Sequence, residues 1–217
     1  MKRQTDLALS YLEVPPKGSA PAPLVIGLHG RGSNAEDLAG LASAIDPERR
    51  WRMIFPDAPE RFEPYPGMSF GFTWFDTWPP VPETLAASRE LLLRFARELE
   101  ERYAVEPGKL ALLGFSQGAM MALDVGLRLE TRPAAIAAMS GGIEESGVPE
   151  VSGRLDQKIL IVHGTEDDMI PVVYARKTRR ILEDRGLKPE YHEFAMGHWV
   201  TEESMAAVRR FLDGALG

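Results

Sequence analysis

The sequence predicts an α/β fold in a single domain, with a mostly parallel central sheet and helices on both faces. The main observation is that short apolar runs, typical of buried strands, alternate with longer stretches of helical periodicity. The second is size, because 217 residues with 44% hydrophobic content suffice for one sizeable core. The predicted strands are 24–29, 51–55, 109–115, 134–139, 158–162 and an alternating edge strand at 189–194.

The helices lie between these runs. Asn34 offers an N-cap to a helical face formed by Leu38, Leu41 and Ile45, and Pro47 ends it. Further helices are predicted at 83–103, 117–129, 172–185 and 202–216. In such folds the functional groups collect in loops at the carboxyl ends of the strands. An aromatic-rich loop at 56–82 interrupts the alternation within the one domain, 1–217.

Composition excludes several classes of protein. A formal charge of −7 argues against nucleic-acid binding, which draws on clustered lysine and arginine. The absence of cysteine excludes disulfides and thiolate chemistry. No segment resembles a signal peptide or is long enough to span a membrane, so we expect a cytoplasmic protein without stable membrane insertion.

A candidate nucleophile follows the apolar run 110–113. Residues 114–118 read Gly-Phe-Ser-Gln-Gly, which matches G-x-S-x-G between a strand and a helix. Such a turn strains the serine backbone and needs small neighbours, which Gly114 and Gly118 supply. Ser116 is therefore the predicted nucleophile, with the amide of Gln117 beside the developing oxyanion.

The general base must be one of four histidines. Chain order in this kind of site is serine, acid, histidine, which excludes His29. His163 ends a strand before a glycine, so we expect its ring to bond to nearby backbone, as we expect of His29 too. His192 lies in the edge strand, whereas His198 lies in a glycine-containing loop before the last helix and is the predicted base.

The acid should lie in the loop after the strand 158–162. Asp167 is the prediction, since a carboxylate there would fix the imidazole tautomer and stabilise the imidazolium. Asp168 is the reserve, although a helix-capping role suits it better.

Three separated motifs carry a resemblance to the bacterial phospholipase/carboxylesterases, relatives of the acyl-protein thioesterases among the α/β hydrolases. They are residues 28–32 (Leu-His-Gly-Arg-Gly), the nucleophile motif at 114–120, and the acid loop from 163 to 171. The resemblance implies a triad of Ser116, Asp167 and His198, with the backbone amides of Arg31 and Gln117 as the oxyanion hole. It also implies an ester or thioester substrate and no cofactor or metal.

Arg31 departs from the family pattern, because many relatives carry an apolar residue there. Its side chain is interpreted either as a solvated loop cation or as a contact for a negatively charged substrate group. Trp74, Phe75, Met169 and Ile170 are predicted to line the substrate pocket. The other large apolar side chains of the long loop could also wall an acyl pocket, although for most of them packing of the loop onto the sheet is the preferred interpretation: Phe62, Tyr65, Met68, Phe70, Phe72 and Trp78.

Two other functions remain open at this stage. One is a peptidase or lactone hydrolase on the same triad, since oxyanion geometry does not specify the leaving group. The other is a non-catalytic binding protein of hydrolase-like fold. A homodimer is also left open.

Overall fold

The central layer is a seven-stranded sheet in the order β1-β3-β2-β6-β7-β8-β9, and every neighbouring pair is parallel except β1 and β3. The computed structural model describes residues 1–18, 21–77, 80–143, 145–151, 153 and 155–217. The strands are β1 Tyr11–Val14, β2 Leu24–Leu28, β3 Arg52–Pro56, β6 Leu110–Phe115, β7 Ala135–Met139, β8 Ile159–Gly164 and β9 Glu190–Phe194, with β4 Glu60–Arg61 and β5 Phe72–Thr73 pairing separately. The predicted mostly parallel sheet is confirmed.

Helices cover both faces of the sheet, as predicted. They are α1 Ala35–Ala39, α2 Ala42–Ile45, α3 Pro82–Tyr103, α4 Gln117–Gly126, α5 Val173–Asp184 and α6 Glu202–Leu216, with a 3-10 turn at Glu145–Gly147. Alternate residues of each strand point to opposite faces. Thus Ile26 belongs to the part of the core that is covered by α3, α4 and α5, while its neighbour Val25 belongs to the part covered by α1, α2 and α6.

Local chemistry explains where several helices begin. Asn34 caps α1 by accepting a hydrogen bond from the Asp37 amide. Thr201 and Ser204 form a reciprocal capping box at the start of α6. A proline opens α3, where its missing N–H costs nothing.

Three sequence predictions need correction. The single helix expected from Asn34 to Ile45 is two short helices separated at Gly40 and Leu41, and α4 ends at Gly126 rather than at 129. Strand β1 was not predicted, because it is only four residues long and its apolar pattern is short. It joins the edge of the sheet antiparallel to β3.

The long loop at 56–82 contains the β4–β5 hairpin and leads directly into α3. Trp78, one of its predicted packing aromatics, lies outside the described residues. Tyr65, Met68 and Phe70 are half exposed or more, so for these three the predicted packing onto the sheet is wrong. Phe72 pairs with Ser33 through backbone hydrogen bonds and ties the hairpin to the loop after β2.

Candidate active site

Four loops meet at the carboxyl end of the sheet, because the strands that precede them are parallel and adjacent. Ser116 directly follows β6, and the acid loop follows β8. The loop after β2 carries Arg31, and the loop after β9 carries His198. Parallel order alone therefore gathers residues that are far apart in the chain.

Ser116 occupies a strained turn between β6 and α4. Its φ of 56° and ψ of −121° lie outside the regions that residues with a side chain prefer. The turn requires glycine on both sides: a Cβ on Gly114 would lie 2.1 Å from the Gly118 carbonyl oxygen, and one on Gly118 would lie 2.0 Å from that of Leu28. The turn is further held because the Ser116 amide donates to the Met139 carbonyl at 2.8 Å.

A continuous hydrogen-bond chain joins the three residues predicted as nucleophile, base and acid. His198 Nε2 lies 2.9 Å from Ser116 Oγ, and His198 Nδ1 lies 2.7 Å from Asp167 Oδ2. The His198 ring packs against Phe115, with ring centroids 5.0 Å apart. The imidazole is thus held between the hydroxyl and the carboxylate.

Asp167 is buried and fully engaged. Its second carboxylate oxygen accepts the amides of Met169 at 3.1 Å and Ile170 at 2.8 Å, which fixes the plane of the carboxylate. Asp168 is exposed and lies at the cavity rather than in the hydrogen-bond chain with His198. The expected capping role of Asp168 is wrong, because α5 has Val172 at its N-cap position and no side-chain cap.

His29 and His163 bond to backbone, as predicted. His29 Nδ1–H donates to the Gly30 carbonyl at 2.7 Å, and its Nε2 accepts the Ala58 amide at 3.0 Å. Burial lowers the pKa of His29 to about 4, so the ring is neutral at physiological pH. His163 Nε2–H donates to the Ile170 carbonyl at 2.7 Å, and burial likewise lowers its pKa.

His192 is engaged away from the catalytic residues. Its Nε2 lies 2.7 Å from Glu190 on the same face of β9, as the edge-strand pattern predicted.

Two backbone amides are available beside the nucleophile. The loop after β2 approaches so closely that a Cβ on Gly30 would lie 3.3 Å from Ser116 Cβ. Within the described part of the chain, neither the Arg31 amide nor the Gln117 amide donates a hydrogen bond to another residue. Both can therefore serve an oxygen atom bound next to Ser116.

The side chain of Gln117 has a role that the sequence did not indicate. It is buried and accepts the Trp74 amide at 2.8 Å, while its own Nε2 donates to the Phe75 carbonyl at 2.6 Å. The Thr73 hydroxyl lies 3.2 Å from the same amide group. The helix that begins at the nucleophile is thereby tied to the loop 72–75.

Trp74 lies behind the cavity rather than on its wall, which corrects the prediction that it lines a pocket. Only 1% of its surface is exposed, and its indole N–H donates to the His29 carbonyl at 2.9 Å. A large ring with one polar atom is well accommodated in a core where that atom finds an acceptor. Trp74 thus supports the loop that carries Arg31.

A cavity of about 990 Å³ opens over Ser116 and has two sides. Phe75, Met169 and Ile170 line it, as predicted. The side formed by the β2 loop, α1 and the hairpin includes Arg31, Ser33, Asp37, Leu38, Leu41 and Phe62. The side formed by α4, α5 and the loop after β7 includes Met120, Gly142, Ile143, Tyr174, Lys177 and Thr178.

The described residues hold no group of three or more histidine, aspartate or glutamate side chains arranged to bind a metal ion. In the same residues, each helix is too short or too polar to cross a bilayer.

Known proteins resemble this chain over nearly its whole length. It is 26% identical to acyl-protein thioesterase 1 of Candida albicans, with 95% of this chain and 97% of the relative covered. It is 23% identical to lysophospholipase-like protein 1 of Mus musculus, covering 82% and 80%. The first name is that of a thioesterase, and the second is that of a protein similar to a lysophospholipase.

Solved structures agree with the fold. The crystal structure of esterase PE8 matches with a TM-score of 0.84 at 30% identity, covering 96% of this chain and 99% of that one. A carboxylesterase from Mesorhizobium loti matches with a TM-score of 0.84 at 21% identity, covering 98% of both chains, which supports the α/β-hydrolase fold.

The family model described as phospholipase/carboxylesterase matches residues 9–216. Its members and the relatives above are ester hydrolases of the serine hydrolase superfamily, so the chain is an enzyme of this class and not a non-catalytic binding protein. A match from the ninth residue to the penultimate one leaves no part of the sheet or cavity outside it. The chain belongs to the phospholipase/carboxylesterase family of α/β hydrolases.

Proposed function

We propose that this hydrolase cleaves carboxylic esters or acyl thioesters through a covalent acyl-enzyme formed on Ser116. The observation that carries the proposal is the unbroken chain from Ser116 Oγ through His198 to Asp167, with contacts of 2.9 Å and 2.7 Å. Both distances are within hydrogen-bond range for proton transfer and for orientation of the ring.

In the first half-reaction, His198 Nε2 takes the Ser116 proton as Oγ attacks the substrate carbonyl carbon. The resulting oxyanion is stabilised by the amides of Arg31 and Gln117, which have no competing acceptor in the described structure. The same proton then passes from His198 to the alcohol or thiol that leaves. Ser116 remains as an acyl ester.

In the second half-reaction, His198 deprotonates a water molecule that attacks the acyl carbon, and the carboxylic acid leaves as Ser116 recovers its proton. Asp167 keeps its charge throughout. It holds Nδ1–H so that Nε2 faces Ser116, and it stabilises the imidazolium that forms twice in each cycle. Its two amide hydrogen bonds prevent the carboxylate from turning away.

The cavity wall supports an acyl group with apolar character. Ile143, Phe75 and Ile170 are apolar residues that line the same cavity as Ser116. Each buried methylene contributes about 0.8 kcal/mol. Several carbons of acyl chain would therefore improve binding appreciably before the wall limits length.

A fluorophosphonate probe tests the nucleophile without assuming a substrate. Ser116 Oγ displaces fluoride from phosphorus and forms a stable phosphonate ester, so the protein gains the mass of one probe molecule less that of HF. We expect stoichiometric labelling that maps to Ser116. Labelling should be absent in Ser116→Ala and at least about 10³-fold slower in His198→Ala, because the two residues act as a unit.

Ser43→Ala is the matched control, since Ser43 is exposed on α2 and is not among the residues that line the cavity. It should be labelled like the wild type. Attachment of the probe to another serine, or no labelling of folded wild-type protein, would contradict the proposed nucleophile. Para-nitrophenyl esters and acyl thioesters of increasing chain length would then establish which leaving group and which chain length are preferred.

A further inference from the structure

Arg31 places a positive charge on the wall of the catalytic cavity. Its side chain is exposed, and its guanidinium carbon lies 4.8 Å from the centroid of the Phe62 ring. No carboxylate pairs with it in the part of the chain that the structure describes. By contrast, Arg89 is held by Asp124 and Arg176 by Glu193, so ion pairing is common elsewhere on this surface.

The other charges around the cavity leave Arg31 available. Asp37 lies on the same side, but its carboxylate accepts the Ser33 hydroxyl at 2.8 Å and makes no ion pair with Arg31. Asp168 and Lys177 also line the cavity, but they come from the acid loop and α5 rather than from the loop after β2, and Asp168 makes no ion pair with Arg31 among the described residues. Arg31 is thus the cation on the β2 side of the described cavity wall.

The position of Arg31 relative to the reaction is fixed by its neighbours. A Cβ added to Gly30, the preceding residue, would lie 3.3 Å from Ser116 Cβ, so the two loops approach each other closely. In the proposed mechanism the amide of Arg31 donates to the oxyanion. The Arg31 side chain therefore starts from a residue that contacts the reacting carbonyl. Stacking on Phe62 restricts the guanidinium, which lowers the entropy lost when it binds a ligand.

We propose that Arg31 is a specificity-determining residue that binds a carboxylate or phosphate group carried by the substrate. The preferred substrates are then esters or thioesters bearing a negative charge a few bonds from the scissile carbonyl. A planar guanidinium matches the two oxygens of such a group with parallel hydrogen bonds. This inference rests on the proposed function, since it names the substrate class of the same site.

Matched substrate pairs test the proposal. In the first pair the charge is on the acyl side: the mono-para-nitrophenyl ester of glutaric acid is compared with para-nitrophenyl pentanoate. In the second it is on the alcohol side: meta-carboxyphenyl pentanoate is compared with meta-carbamoylphenyl pentanoate. The quantity measured is the ratio of kcat/KM for the anionic ester to that for its neutral partner, so losses common to both esters divide out.

We expect Arg31→Gln to lower this ratio about tenfold in at least one pair, which corresponds to loss of one charge-assisted hydrogen-bonded contact. Arg31→Lys should retain part of the preference, because the charge remains while the bidentate geometry is lost. The wild-type ratio should also fall as ionic strength rises. A fall confined to one pair would tell whether the anion belongs to the acyl or the alcohol portion.

Arg210→Gln is the matched control, since Arg210 is exposed on α6 and away from the cavity lining. It removes the same charge from the protein and should leave both ratios unchanged. The inference is overturned if Arg31→Gln leaves both ratios at the wild-type value, or if Arg210→Gln lowers them equally. Failure of the wild type to hydrolyse any of the four esters and to react with the fluorophosphonate would instead refute the proposed function.

Discussion

Replacing Gln117 by leucine should destabilise the protein by about 2 kcal/mol and displace the loop that supports the oxyanion side of the cavity. The change removes the acceptor of the Trp74 amide and the donor to the Phe75 carbonyl. The carbonyl still accepts the Thr73 hydroxyl at 2.7 Å, but no other acceptor of the buried Trp74 amide is found in the described structure. An unsatisfied buried amide costs about 1–3 kcal/mol.

Urea unfolding followed by tryptophan fluorescence measures this loss, because Trp74 is among the reporting residues. Since each 1.4 kcal/mol is about a factor of ten, the folding equilibrium constant should fall roughly 30-fold. kcat/KM should fall as well, because the loop 72–75 also carries the Trp74 contact to the His29 carbonyl. The amide N–H of residue 117 is retained, so the fall reports displacement rather than deletion of a donor.

Gln4→Leu is the matched control for the change of side chain. Gln4 is only half-buried and bonds to Glu13 and Tyr11 near the edge of the sheet, where water can replace a lost partner. Gln4→Leu should lower the free energy of unfolding by less than about 1 kcal/mol and leave kcat/KM unchanged. If Gln117→Leu is as stable and as active as the wild type, the interpretation that this side chain holds the loop is refuted.

Three further predictions concern the acid, the turn and pH. Asp167→Asn should lower kcat about 10⁴-fold by stabilising the wrong imidazole tautomer, whereas Asp168→Asn should lower kcat less than about tenfold. Steady-state kinetics with one ester measures both losses. A larger loss in Asp168→Asn would assign the acid to Asp168. Gly118→Ala should lower the free energy of unfolding by at least about 4 kcal/mol, because its Cβ would lie 2.0 Å from a β2 carbonyl oxygen. Gly214→Ala on helix α6, where nothing lies within 4 Å of the added Cβ, should raise it by about 0.5–1 kcal/mol in the same thermal unfolding assay. Equal effects of the two substitutions would contradict the steric explanation. The pKa of His29 falls from 6.5 to about 4 on folding, so the unfolded chain binds more protons between these values and stability should decline by about 3 kcal/mol as pH falls through them. Urea unfolding across this range should show a shallower decline in His29→Gln, and an unchanged slope would rule out His29 as the cause.

Sequence reasoning predicted the elements that depend on local patterns. The apolar runs before Ser116 and Asp167 mark β6 and β8 because strands buried on both faces are apolar throughout. Helix α6 has the predicted bounds, 202–216, and the structure adds that Thr201 caps its start. Strand β1 was not predicted, because four residues at the edge of a sheet are too few for their apolar pattern to distinguish a strand from a loop.

The candidate site was predictable to the extent that its residues lie in motifs. The Gly-x-Ser-x-Gly turn needs glycine at 114 and 118 for steric reasons that hold wherever a serine is raised between a strand and a helix. The choice of His198 and Asp167 relied on chain order and on their positions after strands. Their mutual distances required the parallel register of β6, β7, β8 and β9.

Sequence alone therefore determined the α/β class, the family resemblance and the three candidate catalytic residues. Strands, turns and motifs depend on residues that are close together in the sequence, so local patterns predict them. Only the tertiary structure decided that Trp74 is buried behind the cavity, that the Gln117 side chain ties α4 to the loop 72–75, and that Arg31 rests on Phe62 without a carboxylate partner among the described residues. Each of these depends on contacts between residues tens of positions apart. Such contacts are set by how the helices and loops pack onto the sheet, and no local pattern encodes them.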